Sequence, residues 1–165
     1  MQRMRILQQV DIFDELPNEH LEKLAAVCQE LAFRKSGQVI FQENTPSDEL
    51  YIIVKGMVDI VLNPGILGVE TEDNPGPTTI ATLRQGQTFG EVGLVDQGLR
   101  SASARAASQD TRLLAISRQD LLRLCQEDHE LGYRLMSNIA GDLAFKIRNT
   151  DLMVREQLLW GPRSK

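Results

Sequence analysis

Between residues 33 and 116 the chain is broken into short apolar runs separated by turn residues, and that segmentation excludes most folds. Val39-Ile40-Phe41, Leu50 to Val54, the alternating Val58, Ile60 and Leu62, Ile80 to Leu83, the alternating Ala102, Ala104 and Ala106, and Leu113 to Ile116 are each long enough for a strand and too short for a helix. Ser36-Gly37, Glu43 to Asp48 and Lys55-Gly56 supply turn chemistry between them. Roughly eight such strands, flanked by helical patterns on both sides, predict an α+β chain that is mainly β. The expected architecture is an antiparallel β-roll or jelly-roll barrel over 33–116, with N-terminal helices and a long C-terminal helix.

The flanks carry the helical period. Ile6, Leu7, Val10, Ile12, Phe13 and Leu16 form an amphipathic turn or two that ends before Pro17. Pro17-Asn18 opens a second helix, with Leu21, Leu24, Ala25, Cys28 and Leu31 on one face, so N-terminal helices are expected over 5–32. Ser117 is suited to cap a helix, with Asp120 three residues on and Leu121, Leu122 and Cys125 on the apolar side. From about Asp128 to Trp160 there is no proline and only two glycines, Gly132 and Gly141. Leu131, Leu135, Ile139, Leu143 and Ile147 recur every four residues, with Met136, Ala140 and Ala144 beside them. Helices beyond about 25 residues usually pack along a partner, so a homodimer through this helix is expected. C-terminal helices thus occupy 118–160, and residues 1–165 read as a single domain.

Composition bounds the function. A net charge of −5 makes the chain a poor general nucleic-acid binder, because that affinity rests on Lys and Arg neutralising phosphates. It also repels an anionic ligand at long range, so any anion site must work by short-range donors. The two cysteines, Cys28 and Cys125, sit in helical apolar patterns and read as buried free thiols, consistent with a reducing cytoplasm. No membrane-length apolar run or signal peptide is visible. His20 and His129 lack neighbours at ligand spacing and read as exposed helix residues, not metal ligands. No nucleophile–base pairing stands out, so no catalytic residues and no enzyme activity are expected. Residues 63–78, rich in proline, glycine and acids, form a long exposed loop, read as a tolerated insertion ahead of a partner contact.

The chemistry concentrates in Gly86-Gln87-Thr88-Phe89-Gly90-Glu91-Val92-Gly93-Leu94, followed by Arg100-Ser101-Ala102. Glycines let backbone N–H groups converge on one point, and a short helix starting at Glu91 or Val92 adds a positive end. Arg100 offers a planar fork of donors for a phosphate, whereas ionised Glu91 only accepts and suits a sugar hydroxyl. Together they describe a pocket for a sugar phosphate. There is no Gly-Lys-Ser/Thr and the glycine spacing is not that of a dinucleotide fold.

Phe89-Gly90-Glu91, an apolar turn, then Arg100-Ser101-Ala102 resembles the phosphate-binding cassette of cyclic nucleotide-binding domains of the catabolite activator and protein kinase A regulatory subunit type. The similarity extends over residues 10–160. It implies a non-catalytic sensor of cyclic AMP or cyclic GMP, with no other cofactor. Gly90, Glu91, Val92, Arg100, Ser101 and Ala102 would hold the ligand: Glu91 the ribose 2′-hydroxyl, Arg100 the cyclic phosphate. Ser101, at the position that influences purine choice, favours cyclic AMP. The C-terminal helix would cover the base and relay occupancy. Three positions depart from the family pattern: Asn44 stands for a glycine, Leu99 for a proline, and Lys146-Ile147 for a Thr-Ser pair that reads adenine. Lys146, Asn149 and Thr150 are therefore the candidate base contacts. No helix-turn-helix fits in the five residues after Trp160, so direct DNA binding is not expected and the output partner would be another protein. The alternative is a ligand-free dimerising adaptor on the same fold.

Overall fold

Two four-stranded antiparallel sheets, ordered β1-β8-β3-β6 and β2-β7-β4-β5, form a β-roll in the computed structural model, which describes residues 2–63, 76–96 and 98–160. The strands are β1 (Gln29–Phe33), β2 (Val39–Phe41), β3 (Glu49–Lys55), β4 (Met57–Leu62), β5 (Thr78–Arg84), β6 (Thr88–Phe89), β7 (Ser103–Ala106) and β8 (Thr111–Ser117). The helices are α1 (Gln2–Leu7), α2 (Asn18–Val27), α3 (Val92–Asp96), α4 (Arg118–Glu127) and α5 (His129–Trp160).

Strand periodicity explains why β3 and β8 read as unbroken apolar runs. Successive side chains point to opposite faces, and here both faces are covered. Leu50, Ile52, Leu114 and Ile116 face a helical layer built from Leu7, Phe13, Leu24, Leu121, Leu131 and Leu135. Tyr51, Ile53, Leu113 and Ala115 face inward between the sheets, against Val58, Phe89 and Ala104. The two central strands thus stitch two cores together.

Several sequence expectations are corrected. α2 stops at Val27 and does not reach residue 32; Cys28 is extended (φ −67, ψ 135), and Gln29–Phe33 is β1. Leu31 sits at helical spacing from Cys28, but it pairs opposite Leu113 of β8, and that ladder outweighs the local period. The helical stretch expected over 5–16 is α1 plus a separate 3-10 turn at Asp11–Phe13. The alternation of Val58, Ile60 and Leu62 breaks at a bulge between Ile60 and Val61, which turns Val61 inward and leaves Leu62 exposed. His20 is not exposed: its accessibility is 2%, because α2 lies over the junction of α4 and α5. His129 is exposed as expected.

That junction is organised by Asp128. Its Oδ1 accepts from the Leu131 N–H at 3.1 Å and caps α5, while Oδ2 accepts from Lys23 Nζ at 2.6 Å and lies 3.2 Å from His20 Nε2. The Lys23 hydrogen bond, then the Leu131 amide, hold its carboxyl down at about 2. Ser117 caps α4 by accepting from the Asp120 N–H at 3.0 Å.

α5 has 32 residues, about 48 Å at 1.5 Å per residue. Leu131, Leu135 and Ile139 are buried on the body, Leu143 packs partly, and Ile147 is 62% exposed. The apolar stripe therefore outruns its own core, and Leu152, Met153 and Val154 beyond it are also exposed. Cys28 and Cys125 are free thiols; burial pushes Cys28 up to about 11 and raises Cys125, which is only half-buried. Among the described residues, no helix is long and apolar enough to cross a membrane. The loop expectation falls mostly on 64–75, and the helix stop at Gly161-Pro162 also lies outside the described residues.

Candidate functional site

The cassette is placed by three backbone devices. Gly90 adopts φ +86 directly after β6, turning the chain so that α3 begins at Val92, where sequence had allowed Glu91 or Val92. Gly93 lets α3 lie on Ser47: a Cβ there would sit 1.8 Å from Ser47 Oγ. Arg100 is held as in a short strand, its N–H donating to the Thr45 carbonyl (2.8 Å) and its carbonyl accepting from the Asn44 N–H (2.9 Å). Asn44 itself has φ +62, so the residue standing in for glycine keeps the left-handed turn. Arg118, first residue of α4, donates from Nε to the Leu94 carbonyl at 3.3 Å and so ties α3 to the C-terminal helices.

All nine candidate residues line one cavity of about 290 Å³: Gly90, Glu91, Val92, Arg100, Ser101, Ala102, Lys146, Asn149 and Thr150. That is close to the lower end of the range for small-molecule sites, about 300 Å³. The six cassette residues line it together with residues of β2, β4, β5 and β6, and the other three come from α5.

Arg100 is 5% exposed. Nη2 donates to the Glu49 carbonyl at 3.1 Å and Nη1 reaches the Gly90 carbonyl at 3.5 Å, while Nε has no partner among the described residues. No carboxylate lies within ion-pair distance of it among the described residues. Its Cζ instead sits 4.1 Å from the Phe41 ring centroid and 5.5 Å from that of Tyr51. Phe41, Tyr51 and Phe89 pack together behind it, Tyr51 and Phe89 stacked at 5.0 Å. The Tyr51 hydroxyl donates to Glu49, and burial first, then Glu49, raises its pKa. Burial lowers the pKa of Arg100, against the partial opposition of Tyr51 and Glu49, yet a guanidinium stays charged. The result is a buried cation resting on aromatic faces, with no direct ion pair among the described residues and with Glu49, Asp48 and Glu91 acting on it only at longer range.

Sequence reasoning missed this aromatic shelf. Phe41 lies 59 positions before Arg100, and only the pairing of β2 with β7 brings the two together. It also missed what Lys146 does. Lys146 Nζ lies 2.7 Å from Glu91 Oε1 and 2.8 Å from Asp142 Oδ2, and reaches the Thr88 carbonyl at 3.5 Å. The second Glu91 oxygen, Oε2, is buried with no hydrogen-bond partner among the described residues. Burial pulls Lys146 down, but Glu91 and Asp142 outweigh it and its pKa is raised overall. The Thr150 hydroxyl donates to the Lys146 carbonyl at 3.0 Å, and the exposed Asn149 lies at the cavity mouth. Among the described residues, no group of three or more His, Cys, Asp or Glu side chains is arranged to hold a metal ion.

A family model described as "Cyclic nucleotide-binding domain" matches residues 33–128, the β-roll with the whole cassette. The chain belongs to the cyclic nucleotide-binding domain family. It is 34% identical over 116 residues to the cyclic AMP receptor protein of Thermus thermophilus, covering 70% of this chain and 48% of that protein. It is 30% identical over 118 residues to human cGMP-dependent protein kinase 2, covering 72% of this chain and 14% of the kinase. The chain thus spans about half of the receptor and a small part of the kinase. Among solved structures, a cyclic nucleotide-binding domain from Methylobacillus flagellatus superposes with a TM-score of 0.76 at 25% identity, covering 94% of this chain and 82% of that one. The Thermus thermophilus catabolite activator protein gives 0.72 at 29% identity, covering 88% and 62%. This is a nucleotide-binding regulatory family; the cassette and Arg100 lie in its matched region, while the α5 residues that line the cavity lie beyond it.

Proposed function

We propose that this chain is a non-catalytic regulatory module that binds a cyclic mononucleotide, cyclic AMP in preference to cyclic GMP, and relays occupancy through α5. The observation that carries the reading is the Arg100 guanidinium, 5% exposed and without a carboxylate partner among the described residues. A buried charge is costly unless paired, so this one is set up for an anion that arrives from outside. Two cations line the cavity of about 290 Å³, and with Lys146 already paired to Glu91 and Asp142, Arg100 is the one left for the single negative charge of a cyclic phosphodiester. Glu91, with one oxygen unpartnered, is the acceptor for the ribose hydroxyl. Ser101, which lines the cavity, bears a hydroxyl without a threonine methyl, and that supports the preference for cyclic AMP; the relatives are named for both nucleotides.

Thermal denaturation with cyclic AMP and cyclic GMP tests this directly. A ligand at about 100 times its dissociation constant should stabilise the fold by roughly 2.7 kcal/mol. No shift with any cyclic mononucleotide at millimolar concentration would leave the alternative, a ligand-free adaptor, whose support is that Lys146 already satisfies one oxygen of Glu91.

The output is assigned to α5. Its exposed Ile147 and Val154 continue the stripe begun by buried Leu131, Leu135 and Ile139, and a second copy of the same helix is the occupant we favour. Sedimentation equilibrium should show a homodimer that Ile147→Glu with Val154→Glu converts to monomer; a monomer at all concentrations for the parent chain would refute it. A further protein would then read the helix. Two free thiols fit a cytoplasmic setting.

A further inference from the structure

The lysine that stands where the family reads the base is turned away from that task in this chain. Lys146 is half-buried on α5, and its ammonium is shared between Glu91 Oε1 at 2.7 Å and Asp142 Oδ2 at 2.8 Å. Glu91 is 5% exposed and comes from the opposite wall, between β6 and α3. Its other oxygen, Oε2, is buried and empty-handed among the described residues. A carboxylate with one oxygen held by a cation and the other bare presents one acceptor in a set direction.

We infer that Lys146 is the positioning residue for sugar recognition: it keeps Glu91 oriented so that Oε2 meets the ribose 2′-hydroxyl, and so makes binding depend on that hydroxyl. The inference rests on the reading of the cavity as a cyclic nucleotide site. The ion pair removes in advance rotamer freedom that the Glu91 side chain would otherwise lose on binding. Asp142, one turn earlier on α5, keeps Lys146 from swinging out to solvent, because the two stand at (i, i+4) on the same helix face. Lys146 therefore answers to the sugar, and the base edge is left to Asn149, Thr150 and the cavity rim.

The reading out of this role is a ratio, not a loss. Calorimetry with cyclic AMP and 2′-deoxy cyclic AMP should show the parent chain preferring the ribonucleotide by about ten-fold or more, the worth of one hydrogen bond to a charged acceptor. Lys146→Met should bring that ratio to within about three-fold by weakening only the ribonucleotide, while binding of the deoxynucleotide shows that the site is still folded. Lys146→Gln, carried alongside, reads the same ratio if Met disturbs the half-exposed position. Lys146→Arg, which retains a cation, should recover the preference. An unchanged ratio in Lys146→Met and Lys146→Gln, even with uniformly weaker binding, overturns the positioning role and leaves the cyclic nucleotide reading standing. A parent chain that binds both nucleotides equally also overturns it. A parent chain that binds neither overturns the reading of the cavity itself, and this inference with it.

Discussion

Arg100→Ala is expected to weaken cyclic nucleotide binding by at least about a hundred-fold while leaving the fold in place. The guanidinium is a planar fork, so it can present two parallel donors to a phosphodiester. Hydrogen bonds to charged groups contribute about 1.5–3 kcal/mol each, and two at the lower figure already correspond to roughly a hundred-fold. The effect on stability should be much smaller, because two terms oppose. The variant loses the contacts to the Glu49 and Gly90 carbonyls and to the Phe41 ring. It also loses the burden of burying an unpaired charge. Far-UV circular dichroism should be unchanged. Arg100→Lys should bind almost as poorly, since one ammonium cannot reproduce two parallel bonds from the same aromatic shelf. Calorimetry giving Arg100→Ala a dissociation constant within about three-fold of the parent would sink the assignment of the phosphate to this residue.

Gly90→Ala should damage both stability and binding, and by a mechanism that can be separated. Gly90 has φ +86, a conformation that costs an L side chain about 1–2 kcal/mol. A Cβ there would also lie 2.6 Å from Arg100 Nη1 and 2.7 Å from the Glu49 carbonyl oxygen. Overpacking of that kind costs about 1–3 kcal/mol, and the group that must move is the guanidinium proposed to bind the phosphate. Gly37 is the internal control: it has φ +84 and nothing within 4 Å of a built Cβ. Gly37→Ala should therefore show the backbone cost alone, with nucleotide affinity unaltered. Urea denaturation should place Gly90→Ala about 1–3 kcal/mol below Gly37→Ala, and calorimetry should show weaker binding only in the former. Equal stability and equal affinity in the two variants would mean that the cassette backbone does not set the position of Arg100.

The relation between α5 and the site gives regulation a physical route. Lys146 bridges α5 to Glu91, and Arg118 bridges the start of α4 to the carbonyl of Leu94 in α3. A ligand can shift α5 only by binding one arrangement of these links more tightly than another. Both links touch the cassette from the helical side, and they are the contacts through which the proposed coupling of occupancy to helix position would act.

What the chain's sequence settled by itself was local. The strand and turn alternation of 33–116 specified a β-roll, because strand period and turn residues are short-range properties. The Gly90-Glu91 turn and the Arg100-Ser101-Ala102 run, which line one cavity, were legible for the same reason: they lie within a dozen or so residues of one another. Only the tertiary structure decided the rest. Local period favoured a helix for Leu31, and pairing with β8 made it a strand; His20 looked exposed, and packing of α2 on the α4–α5 junction buried it. Phe41 under Arg100 and Lys146 on Glu91 are contacts across 59 and 55 positions. Neither follows from spacing, because each depends on how separate elements come to rest against one another, and that is fixed by the burial of the two cores as a whole.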